Sequence, residues 1–357
     1  MIEEDSLKLD SHKLIYHIPR VHQWLQGENI YPIYIEVGLY SGCNHRCIFC
    51  AFDFLGYKLD ILETRYLKRF ISDAAKKGVK AILYSGEGEP LLRKDASDII
   101  IYTKKAGIDV ALATNGTMLD KNTANKILPY LTWLKVSLDA GTEKGYAFIH
   151  GTERNNFQTV IHNLKTAVKI KKKYKYNCVI GVQYLLLPQN QKEITTAAKI
   201  SCDIGADYFV VKPYSQHPSS QHQLNSTFQY RNLLPLEKRL KKYETDTFQI
   251  IFRRQAMEKI TGEKCYQRCL GLPFITYITA SGDVYPCNVF LERRELLFGN
   301  ICEESFKDIW EGKRRKKIMK MLYEKWDVEK CRKSCRLDEI NCYLWRLKNP
   351  DLHVNFI

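Results

Sequence analysis

The chain has 357 residues, 45% of them hydrophobic and 27% charged, which is ordinary globular usage and excludes a wholly disordered chain. Lys plus Arg number 55 and Asp plus Glu 40, leaving a formal charge of +15; that excess favours anionic partners (nucleotides, phosphorylated sugars, nucleic acid, acidic electron carriers) without choosing among them. No apolar run approaches the ~18 residues of a membrane span, and the start Met1-Ile2-Glu3-Glu4-Asp5 is acidic where a secretory leader is basic, so a cytoplasmic protein is expected.

Six short apolar runs follow in order, at residues 34–39, 80–85, 109–114, 134–138, 178–186 and 208–213. They are rich in Val, Ile, Leu and Tyr, as strands covered by helices must be. The gaps carry helical spacing at 64–77, 96–105, 123–131, 155–173 and 193–204, and Gly78, Gly107 and Gly205 fit the left-handed position that closes a helix. Repeated β–α units imply a parallel sheet with right-handed crossovers. Six units are too few for a closed eight-fold barrel, so the expected fold is α/β, a partial (β/α)6 TIM-like barrel, with a doubly wound sheet as the other option. In either case the loops after the strands form the active face.

The pattern changes near residue 215. Residues 215–263 are polar and helical in part, at 233–243. Beyond Cys265 the chain turns Cys-rich. Ala280-Ser281-Gly282-Asp283 separates two short apolar runs and reads as a hairpin. Residues 305–322 read as one helix, with Ser305 as N-cap and Asp308 at its third position. The expected organisation is an N-terminal extension (1–32), the barrel core (33–214), a helical connector (215–263), a small Cys-rich domain (264–345) and a tail (346–357).

Twelve cysteines are few for a disulfide scaffold of this length, and in a reducing cytosol clustered cysteines more often bind metal. Cys178, Cys202 and Cys302 stand apart from the clusters and read as small hydrophobes. Cys43, Cys47 and Cys50 follow the first strand with C-x3-C-x2-C spacing. Three thiolates on one tight loop can hold three irons of a [4Fe–4S] cube, leaving the fourth open to a small molecule. A structural zinc knuckle is the other reading, but it wants a fourth ligand, and His45, lying between two of the cysteines, is poorly placed to supply it.

This loop, with Phe49 before its last cysteine, resembles that of radical S-adenosylmethionine (SAM) enzymes. The resemblance implies a cluster that binds SAM through its open iron and cleaves it reductively, giving a 5′-deoxyadenosyl radical that abstracts a substrate hydrogen atom. Three further loops extend it. Gly86-Glu87-Gly88-Glu89-Pro90, after the second strand, is similar to the family's "GGEP" loop, with Glu89 matching its glutamate and Glu87 a departure. Asn115, after the third strand, and Ser137, at the end of the fourth, match later cofactor-contacting positions. The resemblance spans about residues 33–214.

The C-terminal cysteines resemble the auxiliary-cluster domain of some of these enzymes, the SPASM type or its shortened "twitch" form. The implied ligands of one auxiliary Fe–S cluster are Cys269, Cys287, Cys331 and Cys335, with Cys265 and Cys342 as alternates; zinc on the same four thiols is the other reading. An auxiliary cluster suits a net oxidation, and the twitch likeness points to dehydrogenation or epimerisation of a carbohydrate, cyclitol or nucleotide-sugar type substrate. A peptide- or protein-modifying maturase is the alternative, and a zinc-stabilised nucleic-acid-binding protein the alternative from another class. Nucleic acid is disfavoured because the basic residues are dispersed. The run Lys313-Arg314-Arg315-Lys316-Lys317 reads as a solvated helix face or as a docking patch for a flavodoxin or ferredoxin electron donor. Lys212-Pro213-Tyr214, Gln216 and His217 end the sixth strand and can face the cavity; Tyr184 is placed either in the barrel or in the core. No residue is assigned as a catalytic acid or base.

Overall fold

The computed structural model describes residues 11–222, 224, 228, 230 and 233–356; the acidic start lies outside them. The six expected strands form within a residue or so of the apolar runs: β1 (Tyr34–Gly38), β2 (Ala81–Ser85), β3 (Asp109–Thr114), β4 (Trp133–Ser137), β5 (Val179–Leu186) and β6 (Tyr208–Pro213). They pair in parallel in sequence order.

The sheet then extends at both edges beyond the six-unit expectation. β7 (Gln249–Phe252) pairs in parallel with β6, so the polar connector contributes a strand as well as the helix Leu234–Lys241. At the other edge, β8 (Ile275–Ile278) pairs in parallel with β1 and turns back into antiparallel β9 (Asp283–Tyr285), which carries the two-residue β10 (Gly299–Asn300). The expected hairpin is therefore fused to the barrel sheet, in the order β10-β9-β8-β1-β2-β3-β4-β5-β6-β7. The connector hid its strand because Gln249-Ile250-Ile251-Phe252 is only four residues long, below the usual mode of strand length.

Alternation within each strand separates two faces. Leu134 and Val136 of β4, Val182 and Tyr184 of β5, and Phe209 and Val211 of β6 join the main core beneath the helices. Tyr184 thus lies in the outer core, its hydroxyl donating to Asn190 O at 2.7 Å, and not in the barrel. The alternate residues face the lumen: Trp133, Lys135 and Ser137 on β4, Tyr208, Val210 and Lys212 on β6. Tyr208, Val210 and Ile251 form a small separate apolar layer there, with Val179 against it. Gly181 makes room for it, since a Cβ would fall 1.9 Å from the Tyr208 ring.

The helix expected over 305–322 is two helices, Phe306–Glu311 and Lys313–Lys325, broken at Gly312, whose ψ of 153° is extended. Ser305 caps the first as expected, accepting from Asp308 N at 3.1 Å. The basic run is not one solvated face. Arg315 is buried, its guanidinium 3.6 Å from the centre of the Trp310 ring and donating to Asn29 Oδ1 at 2.8 Å. No helix among the described residues is long and apolar enough to cross a membrane.

Candidate active site at the strand ends

The residues after β1 turn sharply because three backbones converge. Glu89 N donates to Gly42 O at 2.9 Å, and a Cβ on Gly88 would sit 2.1 Å from that oxygen, so this position excludes any side chain. The following Cys43–Cys50 stretch is strapped to the end of the helix Glu143–His150: Arg46 N donates to His150 O at 2.9 Å and Ile48 N to Ile149 O at 3.0 Å. Gly151, at φ +55°, ends that helix because a Cβ would fall 2.1 Å from Arg46 O.

The loop brings Cys43, Cys47 and Cys50 together. Burial pushes the Cys43 thiol up to about 11 and raises those of Cys47 and Cys50; Cys50 adds to the shift at Cys43, and Cys50 and Cys43 add to that at Cys47. Such a trio is a poor set of free nucleophiles and a good set of donors for a cationic metal centre, which would supply the missing counter-charge. A hydrogen bond to one sulfur is in place, His45 N donating to Cys43 Sγ at 3.4 Å, and His150 Nδ1 lies 3.3 Å from Cys47 Sγ. His150 Nε2 faces Leu138 O at 2.9 Å, and Asp139 Oδ2 lies 3.6 Å away. The ligand atoms of His45, Cys47 and His150 lie within 4.8 Å of one another. Burial lowers the two imidazoles to about 4 and about 3. Phe49 packs edge-on to His150 at 5.6 Å between centroids.

Around this loop the other motif residues form one network. Glu89 accepts from Leu91 N (3.0 Å) and Thr114 Oγ1 (2.6 Å) through Oε1, and from Asn115 N (2.7 Å) through Oε2. Asn115 donates in turn to Asn44 Oδ1, inside the cysteine loop, at 2.7 Å. Glu89 is thereby the clasp between the β2, β3 and cysteine loops. Glu87 points instead to the C-terminal hairpin. Its Oε1 accepts from Ala280 N at 3.2 Å, and burial pushes its carboxyl up to about 8. Gly86 takes φ +112°, and a Cβ there would strike the Tyr277 hydroxyl. Ser137 Oγ accepts from Gln183 Nε2 at 3.5 Å in the lumen.

A second thiol set lies on the C-terminal loops. Burial raises the thiol pKa of Cys269, Cys287, Cys331 and Cys335, and neighbouring cysteines add to the shift at Cys269, Cys287 and Cys331. They accept hydrogen bonds from Asn341 Nδ2 to Cys269 (3.4 Å), Trp326 Nε1 to Cys331 (3.1 Å) and Leu337 N to Cys335 (3.4 Å). Cys265 and Cys342, the alternates, are bonded to each other as a disulfide, so they leave the four-thiol set to the other cysteines and correct the reading of the clustered cysteines as metal ligands throughout. Cys302 belongs to neither set and lies near Gly282.

Comparison with known proteins fits this division. A family model described as the radical SAM superfamily matches residues 37–199, and one described as an iron–sulfur cluster-binding domain, the SPASM family, matches residues 269–336. The chain carries a radical SAM domain followed by a SPASM domain. The second match spans Cys269, Cys287, Cys331 and Cys335 and leaves Cys265 and Cys342 outside it. The chain is similar to the AdoMet-dependent heme synthase of Methanosarcina barkeri, 25% identical over 79% of this chain and 82% of that protein. It is similar to the GTP 3′,8-cyclase of Aliarcobacter butzleri, 30% identical over 41% of this chain and 46% of that one. Its fold is that of Streptococcus suis SuiB bound to S-adenosylmethionine, with a TM-score of 0.64 at 20% identity over 94% of this chain and 79% of that one.

This radical SAM protein binds a [4Fe–4S] cluster, SAM and an auxiliary Fe–S centre. When bound, the first cluster and SAM supply a primary-carbon radical. Cys43, Cys47 and Cys50 are the residues that would hold three of the cluster's irons, with no fourth thiol on that loop. Sequence reasoning missed several groups beside this apparatus. His150 and Asp139, flanking Cys47, carried no motif. Glu36, Lys135, Arg253 and Arg332 join Lys212, already expected at the cavity, in and around the lumen, where their charges act on Glu36, Lys135 and Lys212. The signal that could have found Glu36 and Lys135 is a charge in the middle of a short apolar strand, which must face something polar. Glu36 pairs with Arg336, and burial pushes its carboxyl up to about 7. His217, expected at the cavity, stacks on Phe54 and bonds Asn288 O at 3.2 Å, tying the β6 loop to the auxiliary loop.

Proposed function

We propose that this radical SAM enzyme dehydrogenates or epimerises a hydroxyl-bearing carbon of a sugar, cyclitol or nucleotide-linked sugar. Cys43, Cys47 and Cys50 hold the reducing cluster; Phe49, Gly86, Gly88, Glu89, Asn115 and Ser137 line the SAM side of the lumen, and Glu87 ties that side to the C-terminal hairpin. Cys269, Cys287, Cys331 and Cys335 hold the auxiliary cluster. The observation that carries the reading is the position of that closed thiol set. Its loop is tied to the residues that follow β6, Arg332 donating to Ser215 O at 2.8 Å and Ser334 N to Ser215 Oγ at 3.1 Å. A substrate radical formed in the lumen then has a one-electron acceptor beside it. Hydrogen-atom abstraction removes one electron with the hydrogen. Loss of the hydroxyl proton and of a second electron completes a two-electron oxidation to a ketone; a cluster on Cys269, Cys287, Cys331 and Cys335 would supply the acceptor for that electron. A cytoplasmic flavodoxin or ferredoxin supplies the initial electron.

The test is anaerobic incubation of reconstituted enzyme with SAM, a low-potential reductant and a panel of nucleotide sugars. The expected result is stoichiometric 5′-deoxyadenosine and a sugar two mass units lighter, or an epimer carrying solvent hydrogen. SuiB has been solved with the precursor peptide SuiA, and consumption of a peptide with no sugar consumed would move this chain to the maturase alternative.

A further inference from the structure

The lumen carries more positive charge than SAM binding uses, and its placement is specific. Below Ser137 on β4 lies Lys135; across the lumen at the end of β6 lies Lys212; Arg253 follows β7, in register with Lys212 beyond the last β6–β7 pair. These three, with Lys13, Trp133 and Tyr208, line a cavity of about 200 Å³ at the floor of the barrel. Lys135 Nζ lies 5.3 Å from the Trp133 ring centre, and Lys212 Nζ donates to Gln183 Oε1 at 3.1 Å. Neither lysine has a carboxylate within ion-pair distance among the described residues. Arg332 lies outside the lining but near enough for its charge to act on Lys212, donating to Ser215 O at 2.8 Å while its buried Nε has no hydrogen-bond partner among the described residues. Of the acids nearby, Glu36 pairs with Arg336, and Asp139 accepts from Leu185 N through Oδ1 while its Oδ2 lies 3.6 Å from His150 Nε2.

Converging cations in a half-enclosed cavity are costly unless an anion joins them. Two lysines and an arginine match the several oxygens of a diphosphate better than one carboxylate. The partly exposed indole of Trp133 offers a flat face for a base or sugar. We propose that the barrel floor is a diphosphate-binding subsite, made by Lys135, Lys212 and Arg253, that holds the nucleoside diphosphate of a nucleotide-linked substrate with its sugar turned up toward the SAM side. This rests on the nucleotide-sugar reading above and narrows it.

The test is equilibrium binding to the cluster-loaded enzyme by calorimetry, without reductant so that no turnover occurs, with UDP and GDP as probes and uridine and guanosine as controls. The diphosphates are expected to bind at least about 100-fold tighter than their nucleosides, roughly what two charge-assisted contacts supply, and to weaken as salt rises. Lys135→Gln and Lys212→Gln each lower that affinity at least about tenfold, the loss of one such contact, while Lys320→Gln on the outer surface leaves it unchanged. The two variants lie on different strands, and the salt series needs no variant. Diphosphates binding no better than nucleosides, or both lysine variants binding like wild type, would overturn the subsite. Tight diphosphate binding without consumption of any nucleotide sugar would leave the subsite standing and remove the proposed reaction. Sugar consumption with unchanged KM in both variants would do the reverse.

Discussion

The two thiol groups of this chain differ in one respect, and much of its chemistry follows from that. The early loop gives three cysteines within eight residues, all on one turn after one strand. The late set gives four, from the strand-flanking positions Cys269 and Cys287 and the distant loop of Cys331 and Cys335. A local trio leaves one iron of a cube without a protein ligand and so makes a reactive site; a quartet drawn from separate loops closes its cluster and makes an electron store and a clamp. The supports differ accordingly. The trio is held by backbone bonds to a neighbouring helix and by the Glu89 clasp, whereas the quartet accepts side-chain bonds from Trp326 and Asn341.

That contrast breaks first at its ligands. Cys47→Ala is expected to abolish 5′-deoxyadenosine formation while the auxiliary iron stays in place, as chemical iron analysis after anaerobic reconstitution would show. Cys287→Ala should do the opposite, with SAM cleavage continuing, uncoupled from substrate oxidation, and product falling to background in the same chromatogram. An unchanged product yield in Cys287→Ala would mean that the late cluster is structural.

Smaller effects sharpen the account of what holds the trio. Glu89→Gln places an amide NH2 where an oxygen accepts from Thr114 and Leu91 or from Asn115. A buried donor facing donors costs about 1–3 kcal/mol, readable as a lower midpoint in chemical denaturation and weaker SAM binding. The lumen lysine has a signed pH dependence. Burial lowers Lys135 from 10.5 to about 8. Between those values the unfolded chain holds the proton that the folded chain has released, so wild-type stability gains a contribution as pH rises from about 8 to 10.5. Lys135→Met should lack that gain and should melt a few degrees higher at neutral pH, since removing a poorly solvated charge favours the fold; calorimetric melting across that range checks both. The smallest effect is expected at Tyr184→Phe, which loses one bond to Asn190 O, about 0.5–1.5 kcal/mol, with SAM cleavage unchanged.

The parts written in local pattern could be read from the sequence. Six strands follow from apolar runs of the right length, and the trio, Gly86–Glu89, Asn115 and Ser137 follow from motifs at successive strand ends. What could not be read depends on tertiary placement. β8 looks like half of a free hairpin and becomes a strand of the barrel sheet only because β1 offers it an open edge. β7 is too short to announce itself. Tyr184 could face either side until the register of β5 against β4 and β6 is known. His150 meets Cys47 because a helix a hundred residues away ends beside the loop. Lys135 and Lys212 become one cluster only when β4 and β6 close around the same lumen.

The most direct measurement is electron paramagnetic resonance of the reduced, reconstituted Cys287→Ala protein, recorded before and after addition of SAM. The account predicts a [4Fe–4S] signal whose g values shift on addition, because an iron of the early trio takes the sulfonium compound as its ligand. An identical spectrum with and without SAM, or no iron at that loop in fully reconstituted protein, would contradict it.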